Sequence, residues 1–288
     1  MEARYVIVMP VRNEAAHLRR TLDSLASQSL APAECIVVDD GSSDETAAIV
    51  EEYAAKLGWL RLIRRGDRGF RKAGGGVMET FYEGFRQIRV ADWEYVVKLD
   101  GDLEFNGDYF ARCLEHFVNN PKLGIGGGQL YTVVNGHKDP EHTPRFHVRG
   151  ATKIYRRACW EAIGGLKVTI GWDAIDEATA NMLGWQTRSF PELEVCHLRP
   201  TGTADGLWRS NIRYGEVAYL CGYHPLYMLA RCFFRLGSWP YGLCSLGLVW
   251  GYTKGFLKRQ PPREAPEVRH YVRTQQWRRL IGQSSIWR

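Results

Sequence analysis

The chain has 288 residues, 45% of them hydrophobic and 24% charged, with seven cysteines and a formal net charge of +6. These proportions exclude wholesale disorder and leave room for one substantial domain, or a domain of roughly 200 residues with an appendage. The cysteines are odd in number and include no C-x-x-C pair, which excludes a disulfide framework or zinc knuckle and points to reduced thiols in a cytosolic setting.

The opening stretch, MEARYVIVMP, lacks the charged, apolar and small-residue regions of a signal peptide. Apolar, β-branched runs at Tyr5–Met9, Glu34–Val38, Leu60–Arg64 and Tyr95–Leu99 predict strands. Helical periodicity fills the gaps near Glu14–Ser27, Asp44–Leu57 and Val77–Arg89, with Leu18, Leu22 and Leu25 forming one apolar stripe. Strand–helix alternation predicts an α/β fold with a mainly parallel sheet covered on both faces. Ligands in such sheets bind beyond the carboxyl ends of the strands.

Three strand ends carry the polar signals. Pro10-Val11-Arg12-Asn13-Glu14 follows the first strand, Asp39-Asp40-Gly41-Ser42-Ser43-Asp44 the second, and Asp100-Gly101-Asp102 the fourth. The last places two carboxylates one residue apart across a tight glycine turn. Such a pair suits Mg²⁺ or Mn²⁺, hard cations that combine one or two protein carboxylates with substrate phosphates. In the second run Ser43 or Asp44 suits a helix N-cap, and a carboxylate there could accept from a base or ribose. Arg68, Arg71 and Lys72, in a Gly-rich stretch, are placed to meet donor phosphates. Neither G-x-G-x-x-G after the first strand nor a P-loop motif occurs, which lowers the dinucleotide and P-loop readings.

The runs VIVMPVRNEAAHLRRTLDSLASQS, IVVDDGSSDET and VVKLDGD together resemble the family 2 glycosyltransferases with the GT-A fold, over the first ~110 residues. The resemblance implies an inverting transfer from a nucleoside-diphosphate sugar without a covalent sugar–enzyme intermediate. It places Pro10, Arg12, Glu14 and Asp40 at nucleoside-binding positions, Asp100 near the ribose or sugar, and Asp102 as metal ligand. Arg12 stands where the family often has an aromatic residue.

Further along, Gly171-Trp172-Asp173 precedes a helical stretch ending at Leu183-Gly184-Trp185. Relatives often show Glu-Asp before a helix closing with Ala-Gly-Tyr, so Asp173 matches the Asp and Trp172 replaces the Glu. An inverting displacement needs a base for the acceptor hydroxyl. Asp173 is the candidate, Asp176 one turn on is its rival, and Glu177 ranks behind both. His197, in VCHLRP at the end of another strand, is a candidate second metal ligand, since some relatives complete the site with a downstream His.

The boundaries predicted are a catalytic domain over 1–204, nucleotide-binding to about 105 and acceptor-binding from 106, then a helical region over 205–288. From Leu236 to Thr253 the chain is uncharged but contains Pro240 and four glycines, which suits helices lying on a membrane better than a span. Trp239, Tyr241, Trp250 and Tyr252 suit the headgroup level. From Lys254 onward nine Lys/Arg face only Glu264 and Glu267, a surplus of seven, so the rest of the chain is near neutral. Basicity confined to the tail argues against nucleic acid as a partner and for an anionic membrane surface. Gln275-Gln276-Trp277-Arg278-Arg279 resembles the Gln-x-x-Arg-Trp motif of processive synthases with the Trp displaced, and is read as coincidence.

The expected activity is single sugar addition to a lipid-linked acceptor at the cytoplasmic face of a membrane, in cell-envelope or exopolysaccharide assembly. The competing readings are a sugar nucleotidyltransferase and a catalytically silent, membrane-docked sugar-nucleotide binder.

Overall fold

A computed structural model describes residues 3–67, 69, 75–134, 136–141, 143–199, 206–237 and 242–287. In chain order the first half comprises β1 (Tyr5–Val11), α1 (Ala15–Ala26), β2 (Glu34–Asp39), α2 (Thr46–Ala54), β3 (Leu60–Arg64), α3 (Gly75–Phe85) and β4 (Tyr95–Leu99). Then come β5 (Leu103–Phe105), α4 (Tyr109–Asn119), β6 (Leu123–Val134), β7 (His137–Pro140), β8 (Thr152–Arg156), α5 (Arg157–Ile163), α6 (Trp172–Met182) and β9 (Gln186–His197). Helices α7 (Leu207–Leu220), α8 (Pro225–Phe234), α9 (Leu243–Leu257) and α10 (Pro266–Leu280) follow.

One curled sheet runs in the order β3-β2-β1-β4-β8-β6-β9-β5, with β7 on β6. The first four strands are parallel, as their helical crossovers require. Beyond β4 the sheet becomes mixed: β8 and β6 pair antiparallel, and β6 runs parallel to β9. Strand order reverses between β1 and β4, the place where such a sheet opens a crevice at its carboxyl edge.

Alternation along β1 builds both layers. Tyr5, Ile7, Met9 and Val11 pack with Leu18, Leu22 and Leu25 of α1 and Phe110 of α4 on one face. Val6 and Val8 pack with Met78 and Phe81 of α3 and Trp160 of α5 on the other. Residues buried on both sides give the continuous apolar runs visible in the sequence. Strand β1 runs two residues past its expected end, through Pro10. Pairing with β4 stops at Val8, so the proline's missing N–H removes no ladder bond on that side.

The C-terminal helices form their own packing unit. Helix α9 buries Gly247, Gly251 and Gly255 against α7, and a Cβ on Gly251 would sit 1.9 Å from the Ile212 carbonyl oxygen. Small residues at four-residue spacing allow this backbone approach, and turn the bulky side chains of α9 outward. Helix α10, the body of the basic tail, is docked: Val268 and Val272 pack on Ala178 of α6, and the Gln276 side-chain oxygen accepts the His224 N–H at 2.8 Å. Gln276 of the processive-synthase-like run thus has a structural role. Among the described residues no helix is long and apolar enough to cross a membrane.

Gly251→Val is expected to cost about 3 kcal/mol in chemical denaturation, because α9 must move off α7. Gly58→Val, where a Cβ meets nothing within 4 Å, should cost far less. Equal losses in the two variants would count against this glycine-dependent contact.

Candidate active site

The loops after β1 and β2 lock one another. Asp44 accepts the Thr46 N–H at 3.0 Å and the Ala15 N–H at 3.1 Å, so one carboxylate caps the starts of both α1 and α2. Asn13, at φ 54°, accepts the Ser43 N–H at 2.8 Å, and Asp39 turns inward to accept from Ser42. Asp40 is left at the sheet's rim, taking a hydrogen bond from Arg65 at 2.8 Å, while Arg12 donates to the Asp40 carbonyl at 2.6 Å and to Asp67 at 2.7 Å. Arg12 is therefore an organiser of the Asp40 loop.

Asp100 and Asp102 leave the sheet just after β4. Gly101 between them has no room for a side chain, since a Cβ would lie 2.8 Å from Val11 Cγ1. The Lys98 ammonium donates to Asp100. Asp102 is buried, with its Oδ2 3.4 Å from His197 Nε2 and 2.9 Å from an Arg199 guanidinium nitrogen. That same nitrogen lies 2.6 Å from Glu14 Oε1, and His197 Nδ1 lies 3.7 Å from Glu141 Oε1. The structure thus gathers Glu14, Asp100, Asp102 and His197 from three strand ends.

Burial alone would raise the Asp102 carboxyl and lower His197. Their mutual contact wins, holding Asp102 down at about 2 and pushing His197 up to about 9. The donor set suits a hard divalent ion that displaces the His197 proton on binding: a carboxylate and that ring face one another, and Glu14 Oε2 is buried without a hydrogen-bond partner. Among the described residues no three His, Cys, Asp or Glu side chains stand close enough to hold an ion by themselves, so an ion here would draw its other ligands from phosphate and water.

Beyond Glu141 opens a 1090 Å³ cavity lined by Asp173, Arg149, Trp172, Arg213, Tyr214 and Arg231, among others, and closed by α7, α8 and α10. Asp173 opens α6 and borders this cavity, and although burial would raise its carboxyl, Lys153, His147 and Arg149 draw it below the ordinary value. Asp176, one turn on, does not border the cavity. It is enclosed, with Lys153 Nζ 3.0 Å from each of its oxygens and the Tyr155 hydroxyl donating to it. Glu177 is equally enclosed, accepting the Val148 N–H at 2.6 Å and lying 2.7 Å from His147 Nδ1 and 2.9 Å from Lys153. Lys153 also donates to the Asp173 carbonyl at 2.6 Å, tying the start of α6 to β8.

Trp172 is buried with its ring centroid 5.7 Å from Lys98 Nζ and 5.5 Å from Lys153 Nζ. These lysines are direct register partners on β4 and β8. The Trp172 ring thus offers π density to two like charges at once.

Arg65, Glu141, Arg149 and Lys153 escaped the sequence reading because no motif surrounds them, and Lys98 and Arg199 stand inside VVKLDGD and VCHLRP, where nothing signals their partners. Lys98 left one trace, a charge inside an otherwise apolar strand. Arg71, Lys72 and Arg68 lie outside the described residues, as do Trp239, Pro240 and Tyr241.

The fold, with its crevice at the carboxyl edge of the parallel strands, is of the GT-A glycosyltransferase type. The family model "Glycosyl transferase family 2" matches residues 6–166, more than half of the chain, and the protein belongs to that family. The chain is 34% identical over 116 residues to a poly-beta-1,6-N-acetyl-D-glucosamine synthase of Staphylococcus epidermidis, covering 40% of this chain and 26% of that protein. It is 30% identical over 137 residues to a 4,4'-diaponeurosporenoate glycosyltransferase of Staphylococcus haemolyticus, covering 47% and 34%. The matched segment thus spans about a third or less of these relatives' length. In fold, it resembles the mannosyltransferase PcManGT from Pyrobaculum calidifontis, solved with GDP-Man and Mn²⁺ (TM-score 0.61, 18% identity, 90% of this chain and 89% of that one). A second likeness is to S. aureus TarS 1–349 with UDP-GlcNAc (TM-score 0.55, 19% identity, 97% and 80%).

Lys153→Met is expected to lower stability by about 3–5 kcal/mol, since it strands two buried carboxylates. Asp176, already raised to about 7 by burial, would rise further without the lysine and Glu177 would rise with it, giving stability that is present at low pH and lost as pH rises. The deficit measured by urea denaturation should therefore shrink from about pH 8 to about pH 5. A deficit that widens on acidification would contradict this.

Proposed function

We propose that the protein transfers a single sugar, with inversion, from a nucleoside-diphosphate sugar to a lipid-linked acceptor, docked on the cytoplasmic face of a membrane during envelope or exopolysaccharide assembly. The observation that carries this reading is the junction of two spaces: the acidic crevice of Glu14, Asp100, Asp102 and His197 meets, through Glu141, the cavity that Asp173 borders. A donor and an acceptor hydroxyl can approach one another there. The solved neighbours holding GDP-Man with Mn²⁺ and UDP-GlcNAc support the donor class.

In this reading Pro10, Arg12, Glu14 and Asp40 border the nucleoside, Arg71 and Lys72 meet its phosphates, and Asp100 approaches the sugar. Asp102 and His197 hold Mg²⁺ or Mn²⁺, which when bound offsets the charge of the diphosphate. Asp173 takes the proton from the acceptor hydroxyl as its oxygen bonds to the anomeric carbon. The bond from that carbon to the diphosphate oxygen breaks, and the diphosphate leaves with the electron pair. Asp173, lowered in pKa and bordering the cavity, is ionised and reachable, whereas Asp176 is consumed by Lys153 and Tyr155.

The membrane part of the proposal rests on α8 and α9. Phe233 is 72% and Phe234 82% exposed, with Leu229, Leu246, Trp250, Phe256 and Leu257 also outward. So large an apolar surface beside Arg235, Lys254, Lys258 and Arg259 matches the boundary of an anionic bilayer. Helix α8 also walls the proposed acceptor cavity, to which it contributes Tyr227, Arg231 and, at its end, Arg235.

Turnover of UDP-, GDP- and dTDP-sugars should be stimulated by Mn²⁺ or Mg²⁺. Asp102→Ala should lose that stimulation, and Asp173→Asn should lose about 10²–10⁴-fold in kcat while keeping donor-induced thermal stabilisation. Full metal-stimulated turnover in either variant removes that residue from the mechanism. Pyrophosphate release from nucleoside triphosphates, or donor binding without transfer, would support the two competing readings instead. In flotation with anionic vesicles, the wild type should rise with the lipid, less so in added salt, and a Phe233→Ser/Phe234→Ser variant should lose most of that binding. Equal flotation of both would rule out α8 as the docking face.

A further inference from the structure

We propose that Arg199 is the resident counter-cation of the Glu14–Asp102 pair, and that a divalent ion reaches Asp102 only by taking its place. The inference rests on the metal-site reading given above. One guanidinium nitrogen stands 2.6 Å from Glu14 Oε1 and 2.9 Å from Asp102 Oδ2, joining carboxylates from the ends of two different strands. A single positive atom bridging acidic oxygens from separate elements occupies the position a bound ion would seek. Arg199 itself follows a third strand, β9, two residues after His197.

The pair needs such a cation. Glu14 and Asp102 repel one another, burial penalises both charges, and Glu14 Oε2 is buried without a hydrogen-bond partner. A guanidinium stays charged at every pH the protein meets, so Arg199 serves as a permanent neutraliser where a proton or a labile ion would come and go. Its side chain is 39% exposed, so the guanidinium already borders solvent while it holds the pair. An ion competing for Asp102 must first separate this contact, so its apparent affinity falls by the population that still holds Arg199 in place. A nucleoside diphosphate changes that balance, since its phosphates offer both the ion and the freed guanidinium new oxygens. Ion and donor therefore load together, each making the other's binding more favourable.

The test titrates Mn²⁺ alone, without nucleotide, into the full chain and reads free Mn²⁺ by electron paramagnetic resonance. Arg199→Ala should bind Mn²⁺ about tenfold more tightly than wild type, and Arg199→Lys, which keeps a cation, should stay near wild type. Asp102→Asn in the Arg199→Ala background should abolish the gain, which locates the ion. Thermal unfolding gives a second readout: Mn²⁺ should raise the Tm of Arg199→Ala more than that of wild type. Equal or weaker Mn²⁺ binding by Arg199→Ala, with wild type still binding, overturns the role of Arg199 and leaves the metal site standing. No Mn²⁺ binding by either protein, even with nucleoside diphosphate added, removes the metal site and this inference with it.

Discussion

The structure depends on neutralising carboxylates that the sheet forces together. Glu14, Asp100, Asp102 and Glu141 all reach the open edge beside the β1–β4 gap, and each has a cation against it: Arg199, Lys98, His197 with Arg199, and Arg149 with its Nε at 2.5 Å from Glu141. Uncompensated, charges this close in a partly dry crevice would take up protons or splay the loops apart. A second set under α6, Lys153 with Asp176 and Glu177, holds that helix to the sheet by the same means. Local turns, capping bonds and cavity walls are all arranged around keeping these charges matched.

That constraint also explains which parts were legible in the sequence. The four parallel strands and three helices of the first half were readable because burial on both sheet faces demands unbroken apolar runs, and helices packed on one side demand a stripe such as Leu18, Leu22 and Leu25. Glu14, Asp40, Asp100 and Asp102 were readable because they sit just after those runs, whereas Glu141 follows β7 and was not. Their partners were not, since Arg199 is 185 positions from Glu14 and Lys153 is 23 from Asp176, and no local spacing encodes such meetings. The mixed pairing of β8, β6 and β9 was hidden for a related reason. Glycines in β6 blur its period, and pairing direction follows from connections that composition does not announce.

The C-terminal helices show the same division. Their low charge and clustered aromatics pointed to an interface, but not to the way α9 turns its glycines onto α7 and its bulky residues outward. Nor did the basic tail reveal that α10 is anchored through Val268, Val272 and Gln276, with its charges on the exposed side.

Lys98 and Lys153 hang from one rung of the ladder between β4 and β8, one reaching toward Asp100 and the other toward Asp173 and Asp176. Backbone pairing across ~4.8 Å, a spacing common to all sheets, therefore acts as the ruler between the two halves of the crevice. Loop remodelling can reshape what enters from either side without altering that gauge. A slip of β8 by a single residue would turn Lys153 to the far face and erase it.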